Sequence, residues 1–505
     1  MITYTQQDYL NTLTKAGLVI DSNLYGHDAD AIQGLTYNSK EAATGTLFVC
    51  KGAAFHPQYL ADAVFSGATL YVSERKYELD TKVPYILVSD IRKAMPYLGK
   101  LFFNDPSKEL NLIGVGGTKG KSTTAYYIKA IVDDYLASIG KKESAVISSI
   151  DVYDGVTKVE SHITTPENIE LLQHFRNAVD SDIDFLEMEV SSQALKYNRV
   201  DQITFDAAIF LNISEDHISP IEHPDFEDYF SSKLKMFAQT KHALINTNSD
   251  YFERVAESAK DAENVITFGT KPGSDILGYD IEKIDHEIHF RVRCDRFDED
   301  FALTMPGLFN VENALAAIAA AYVFNIPVEF MKSGLYRARS SGRMETYMSA
   351  DKNVIAVVDY AHNKLSFDKL FSSTRKEYPD YDIISIFGCP GKKAVIRRHD
   401  LGTIAGMYSK KVYIVAEDPG AEPVEQISKD IAQYVEAQHC PYEMIEDRGE
   451  AIRKAIMTSE GKSILLITGK GNETRQKYGS EYLDCPSDVE YTKKYLAEYD
   501  ASHQA

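Results

Sequence analysis

Gly114-Val-Gly-Gly-Thr-Lys-Gly-Lys-Ser-Thr-Thr124 follows directly on the apolar run Leu110-Asn-Leu-Ile-Gly114, and this junction decides the fold. A short buried strand runs into a glycine-rich turn, and the residues from Ser122 to Ile131 read as a helix. Successive backbone N–H groups in such a turn form a concave nest, and the helix N-terminus adds positive potential, so the junction suits a phosphate. Lys121 is expected to reach the outer phosphates of ATP, and the Ser122 hydroxyl to hold a magnesium ion. The spacing is G-x-x-G-T-x-G-K-S-T, one residue longer than the common phosphate loop, which would need glycine where Val115 stands.

Working outward, the blocks on either side also alternate short apolar runs with helical segments. Residues 1–107 hold strand-like runs at Thr46-Leu-Phe-Val-Cys50, Ala68-Thr-Leu-Tyr-Val72 and Tyr85-Ile-Leu-Val88, a small α/β domain closed by Asn104-Asp-Pro106. Residues 108–340 add strands at Ala145–Ser148, Phe185–Val190, Ala207–Leu211 and Ala243–Asn246, the pattern of a mostly parallel sheet with helices on both faces. Apolar and polar residues alternate from Ile281 to Asp300, which predicts an antiparallel extension. Residues 341–505 repeat the theme with strands at Val354–Val358, Ile383–Phe387, Val412–Val415 and Ile464–Ile467, a Rossmann-like doubly wound domain. The fold class is therefore α/β in three domains.

Composition narrows the function classes. A formal net charge of −21 and the lack of a basic stripe argue against nucleic acid as a partner. No apolar run approaches the roughly 18 residues that span a bilayer, so membrane insertion is not expected. The N-terminal Met-Ile-Thr-Tyr-Thr-Gln-Gln-Asp has neither a basic nor an apolar leader region, and the 5 cysteines are scattered and lack C-x-x-C pairing. A monomeric protein of the reducing cytoplasm is the expectation.

Two polar constellations fall at strand ends. Glu187 and Glu189 are two apart on the strand ending at Val190-Ser-Ser192, so they share a face at the edge where open α/β sheets bind ligands. A carboxylate there reaches magnesium directly or through water, or else pairs with a local lysine. Asn212-Ile-Ser-Glu-Asp-His217 ends the next strand, and His217 is a candidate metal ligand or phosphate contact.

The phosphate loop, EVSSQAL with Arg199, NISEDH and Tyr229-Phe-Ser-Ser-Lys-Leu-Lys235 are similar to the ordered motifs of the Mur ligases, ATP-dependent amide-forming enzymes of bacterial peptidoglycan synthesis. The resemblance continues through Gly307-Leu-Phe-Asn-Val-Glu-Asn313, Gly342-Arg-Met-Glu345, Asp359-Tyr-Ala-His362 and Gly469-Lys-Gly-Asn-Glu473, almost the whole chain in order. Within the family it is closest to the tripeptide-forming branch, on the Asp-Tyr-Ala-His motif, the Gly-Cys…Arg segment, and Ser39 with Gly45-Thr-Leu-Phe-Val49.

The resemblance implies an ATP- and magnesium-dependent ligase that activates the D-glutamate γ-carboxylate of UDP-MurNAc-L-Ala-D-Glu as an acyl phosphate, which an amine then attacks. It implies that Gly117, Thr118, Lys119, Gly120, Lys121, Ser122 and Thr123 hold the ATP phosphates. Ser122, Glu189, His217 and a carbamylated Lys233 are implied as magnesium ligands, and Lys121, Glu189, His217 and Lys233 as the catalytic set. Asn310 and Asn313 are implied at the adenine, and Arg343 and Asp359 at phosphate and ribose. Ser39, Thr164, Thr165, Ser191 and Arg199 are implied for the nucleotide-sugar peptide. The identity of the amine is implied at Arg398, Glu417, Asp418 and Glu473. Relatives that add meso-diaminopimelate carry Asp-Asn-Pro-Arg where this chain has Glu417-Asp418-Pro419-Gly420. The guanidinium is absent and two carboxylates suit the ε-ammonium of L-lysine, with Arg398 on the α-carboxylate. Meso-diaminopimelate, ornithine and a catalytically silent binding paralogue are the alternatives. Lys119, Gly420 and Asn472 depart from the family pattern.

Overall fold

The computed structural model describes residues 3–52, 55–161, 163–216, 218–219, 222–284, 287–339, 344–392 and 395–503. His217 and Arg343 lie outside the described residues. The described strands form three main sheets and a small hairpin, in the α/β architecture expected.

The first sheet has 5 strands in the order Val19–Asn23, Tyr85–Val88, Ala68–Ser73, Thr46–Val49, Gly34–Thr36. Its inward residues Leu47, Val49, Leu70 and Val72 join a hydrophobic core that runs on into the second domain through Leu98, Leu172 and Phe175.

The central sheet has 11 strands, and the middle 7 are parallel: Ile276–Ile284, Asn264–Gly269, Thr240–Asn246, Phe205–Phe210, Asn111–Gly116, Phe185–Glu189 and Ala145–Ile147. Such strands are covered on both faces, which is why they read as continuous apolar runs. Strand Asn111–Gly116 shows the two faces directly. Ile113 and Val115 enter one core with the helices Lys121–Ser138 and Asn310–Val323, whereas Leu112 enters the opposite core. The phosphate-loop helix runs to Ser138, well past Ile131, because Val132 and Leu136 continue its buried stripe. The expected antiparallel extension is present as Glu287–Arg293 and Asp298–Leu303 beyond Ile276–Ile284. A second antiparallel hairpin, Asp151–Tyr153 with Lys158–Glu160, extends the other edge.

Strand Asn111–Gly116 lies between Phe185–Glu189 and Phe205–Phe210, although neither is next to it in sequence. The chain crosses from this strand to Ala145–Ile147, returns to Phe185–Glu189, then crosses to the far side. Three carboxyl ends therefore meet at a topological switch point, the place where such sheets bind ligands.

The C-terminal sheet has 6 strands in the order Glu345–Met348, Val354–Asp359, Ser463–Thr468, Asp382–Phe387, Lys411–Ile414, Tyr442–Met444, all parallel except the first. The carboxyl end of Val354–Asp359 faces the phosphate loop, so the cleft between the domains is walled by strand ends on both sides. Among the described residues, no helix is long and apolar enough to cross a membrane.

Candidate active site

The phosphate loop is clamped to the neighbouring strand end by Asn212. Its Oδ1 accepts from Lys119 N at 2.9 Å, its Nδ2 donates to Lys119 O at 3.0 Å, and its carbonyl accepts from Thr118 N at 3.0 Å. The loop is thus held open as a nest rather than collapsing onto its own helix. Gly120 opens the helix at φ 87°, and a Cβ there would collide with Asn313 Oδ1, so only glycine fits. Lys121 folds its ammonium back onto the carbonyls of Gly117 and Thr118, both at 3.2 Å. Lys119, the departure from the family pattern, pairs with Asp216 at 3.1 Å. Asp216 also accepts from Asn363 Nδ2 of the C-terminal domain at 3.1 Å, so this carboxylate ties the two domains across the cleft.

Glu189 is buried and turned to the loop through Ser149, whose N and Oγ donate to Glu189 Oε1 at 2.8 and 3.0 Å. The Ser149 hydroxyl lies 3.1 Å from that of Ser122. Ser122, Ser149 and Glu189 therefore form one chain of hard oxygens at the helix N-terminus. Ser149 was not legible as a site residue, since a lone serine in Ser148-Ser-Ile150 carries no spacing signal. Glu187 shares the face but not the task. It is fully buried lower on the strand, and burial pushes its carboxyl up to about 8 despite the nearby Lys129.

Of the two lysines in Tyr229–Lys235, Lys235 is exposed and Lys233 is buried. Asp225 caps helix Phe226–Leu234, and Lys233 in its last turn donates to Gly117 O at 2.7 Å. Burial, and then the positive charge of Lys121, hold the Lys233 ammonium well below the usual lysine range. Beside it Tyr229 OH meets Thr118 Oγ1 at 3.0 Å.

The expected peptide-binding residues form a second network. Thr165 Oγ1 donates to Glu189 O at 2.9 Å and accepts from Ser191 N at 3.1 Å, while Arg199 Nη1 donates to Thr165 O at 3.1 Å. Ser191 also caps the next helix through Ala194 N. Glu167 joins Arg199 at 2.9 Å to Lys51 of the N-terminal domain at 2.8 Å. Lys51 lies 4.4 Å over Tyr37, two residues before Ser39, which heads the short helix Ser39–Glu41. Thr164 directly precedes Thr165 and is half-buried.

On the nucleotide side, Asn313 Nδ2 donates to Asn310 Oδ1 at 2.9 Å and Asn310 Nδ2 to Pro306 O at 2.6 Å. Asp359 accepts from Met344 N at 2.9 Å and Ala361 N at 2.7 Å. Asn313, Asp359, Lys119, Gly120 and Thr123 line one cleft together with the half-buried His362.

The acceptor end differs from the expectation in three ways. Arg398 is committed within its own domain, to both oxygens of Glu422 at 2.9 and 2.7 Å and to Asp430 at 2.7 Å. It is Arg397 whose positive charge bears on Glu417 and His362. Glu417 is packed behind Gly469, where a Cβ would strike its carboxylate, and burial pushes it up to about 7 against the pull of Arg448 and Lys470. Asp418 is half-buried and accepts through Oδ1 from Lys470 Nζ at 3.2 Å and Lys477 N at 2.8 Å. Glu473 does line a cleft, which runs to it from Ser149 between the central and C-terminal domains.

The comparisons with known proteins agree with this architecture. Residues 115–321 match the family model described as the Mur ligase middle domain, and residues 342–471 match the Mur ligase glutamate ligase domain. A UDP-N-acetylmuramoyl-L-alanyl-D-glutamate–L-lysine ligase of Enterococcus faecalis is 35% identical, with 88% of each chain covered. A UDP-N-acetylmuramoyl-L-alanyl-D-glutamate–2,6-diaminopimelate ligase of Clostridioides difficile is also 35% identical, over 89% of this chain and 92% of its own. A solved 2,6-diaminopimelate ligase structure superposes at a TM-score of 0.67 with 21% identity and full coverage of both chains.

Proposed function

This chain belongs to the Mur ligase family, and we propose that it joins L-lysine to the D-glutamate γ-carboxylate of UDP-MurNAc-L-Ala-D-Glu in the cytoplasm, converting ATP to ADP and phosphate. At the coarser level it is an ATP-dependent ligase of peptidoglycan precursor synthesis that adds an amino acid to a UDP-MurNAc peptide. One observation carries the reading. The phosphate loop, the Ser122–Ser149–Glu189 chain and Lys233 meet at three adjoining strand ends, and a cleft leads from Ser149 to Glu473.

The residues fit the phosphates and the cation they would hold. Among the described residues no group of three His, Cys, Asp or Glu side chains forms a complete cation cage. A single carboxylate with serine hydroxyls at a helix N-terminus is what magnesium needs when substrate phosphates supply the remaining oxygens. Magnesium there would offset the charge between the γ-phosphate and the incoming carboxylate. The chain's own contribution begins with Lys121, which can leave the loop carbonyls for a phosphate oxygen. Burial shifts Lys233 toward the neutral amine, whose lone pair would add to carbon dioxide. The N–C bond would form as one C=O π bond of carbon dioxide opens, a proton would leave the nitrogen, and the carbamate would be an anion able to hold magnesium. Thr165, Ser191 and Arg199 orient the peptide arm, and the Lys119–Asp216–Asn363 link closes the C-terminal domain over the nucleotide, keeping water from the acyl phosphate.

Lysine is favoured because Gly420 provides no guanidinium for a second carboxylate, and its φ of 57° would strain any side chain placed there. The test is phosphate release by the purified full chain with ATP, magnesium and UDP-MurNAc-L-Ala-D-Glu, offering lysine, ornithine and meso-diaminopimelate separately. Lysine-dependent release is expected. Release with meso-diaminopimelate alone overturns the specificity, and release with none overturns the ligase reading.

A further inference from the structure

We infer that Glu377, the last residue of helix Lys364–Glu377 in the C-terminal domain, is a positioning residue for the nucleotide. Its carboxylate holds the turn of the central domain that carries Asn310 and Asn313. The inference rests on the ligase reading above, through the nucleotide role proposed for those two asparagines.

Helix Asn310–Val323 starts without a cap of its own. Its N-cap is Phe309, which offers no side-chain acceptor, and the turn before it brings N–H groups to a positive helix end. Glu377 meets both features from across the domain boundary. Its Oε2 accepts from Gly307 N at 3.3 Å and its Oε1 from Leu308 N at 3.2 Å. The turn is tight, since Gly307 has a φ of 96° and a Cβ there would strike the Phe309 ring. Its carbonyls accept in turn from the helix start, Gly307 O from Asn310 N at 2.7 Å and Pro306 O from Asn310 Nδ2 at 2.6 Å. Asn310 then receives Asn313 Nδ2, which sets Asn313 Oδ1 against Gly120 of the phosphate loop. A shift of the turn therefore moves both asparagines relative to the phosphates.

The attachment is buried and reinforced. The Glu377 side chain is 3% exposed, and Lys283 of strand Ile276–Ile284 lies 3.7 Å from its Oε2. Lys283 also donates to the Glu377 carbonyl oxygen at 2.8 Å and stands 3.7 Å over the ring of Tyr378. At the other end of the same helix, the cap residue Asn363 donates to Asp216 beside the phosphate loop. A helix of 14 residues, about 21 Å long, is thus pinned to the central domain at both ends. Between the pins, its Ser366 and Lys369 line the same cleft as Lys119 and Asn313. The C-terminal domain docks through a rigid helix laid along the nucleotide cleft, and Glu377 transmits that docking to the asparagine turn. By linkage, a nucleotide that binds the ordered turn favours the docked domain to the same degree.

The experiment measures MgADP binding by calorimetry and phosphate-release kinetics on the full chain, for wild type, Glu377→Ala and Glu377→Gln. Losing a charge-assisted pair of backbone bonds predicts that Glu377→Ala weakens MgADP binding and raises the KM for ATP about tenfold, while the KM for the nucleotide-sugar peptide stays within about twofold. Glu377→Gln keeps one accepting oxygen and recovers part of the loss, and it carries the test where Glu377→Ala does not fold. Variants that melt lower yet keep MgADP affinity and the KM for ATP within about twofold of wild type reveal a merely structural contact and overturn the inference, leaving the ligase reading intact. A wild-type chain that binds MgADP but turns over no diamino acid overturns the ligase reading instead, and the calorimetry still decides on Glu377. A wild-type chain that binds no MgADP overturns both.

Discussion

Lys233 Nζ donates a 2.7 Å hydrogen bond to the carbonyl of Gly117, tying the last turn of helix Phe226–Leu234 to the start of the phosphate loop. An ammonium in that position would be buried beside Lys121, so folding shifts Lys233 toward the neutral amine. The folded protein therefore releases the Lys233 proton at a lower pH than the unfolded chain does. The cost is largest at and below the folded pKa and disappears as pH rises to the unfolded lysine value of about 10.4. Lys233→Met is expected to melt higher than wild type near pH 7, with the gain shrinking toward pH 10. A gain that is constant with pH would show that Lys233 does not titrate between the two states.

The same substitution separates stability from catalysis. Lys233→Ala is expected to lower kcat by about a hundredfold or more, the usual effect of removing one preorganised charge from a reacting centre. Short carboxylic acids added to the assay should restore part of the activity by occupying the place of the carbamate. Full activity without them would remove Lys233 from the mechanism.

Ser149 joins Glu189 to Ser122 at one end of the cleft. Ser149→Ala keeps the backbone bond to Glu189 but loses the hydroxyl bridge, so kcat at saturating ATP should fall about tenfold and the magnesium requirement should rise. Ser149→Thr should retain most of both. Magnesium titrations of phosphate release, paired with nucleotide affinity by calorimetry, distinguish this from a packing defect, which would leave the magnesium midpoint unmoved.

Arg398 and Arg397 are expected to fail in different ways. Arg398 is buried with its guanidinium split between the half-buried Glu422 and Asp430, so Arg398→Ala loses these charge-assisted bonds and should destabilise the C-terminal domain by about 2 kcal/mol. Arg397→Ala should leave the melting temperature nearly unchanged and raise the KM for the amino acid. Denaturation midpoints alongside steady-state kinetics give both readouts, and the reverse pattern would return the substrate-facing role to Arg398.

Glu417 gives a pH signature of the opposite sign to Lys233. Its folded pKa is raised from 4.5 to about 7 by burial, so the unfolded chain releases its proton first as pH rises. Stability attributable to this group is therefore lost between about pH 4.5 and 7, and stays lost above. At 1.36 kcal/mol per pH unit the loss is bounded at roughly 3 kcal/mol. Glu417→Gln should show a melting-temperature advantage that grows through that window and then levels off. A flat difference from pH 4.5 to 8 would mean that Arg448 and Lys470 already hold Glu417 ionised.

The phosphate site was legible in sequence because its chemistry is local. A nest of backbone N–H groups needs only consecutive residues, so Gly114 to Thr124 determined the strand–turn–helix, and the apolar runs around it determined parallel sheets covered on both faces. The ordered motifs likewise determined the family. Lys233 was named through that resemblance, but its burial beside Lys121, which distinguishes it from exposed Lys235, is a property of the packed helix. The acceptor end was decided by tertiary structure alone. Which carboxylates face a cleft depends on whether a neighbouring lysine, a glycine-lined wall or the edge of another domain's sheet stands against them. Such neighbours bury Glu417 behind Gly469 and tie Arg398 to Glu422 and Asp430, residues that the family resemblance alone had set at the amine.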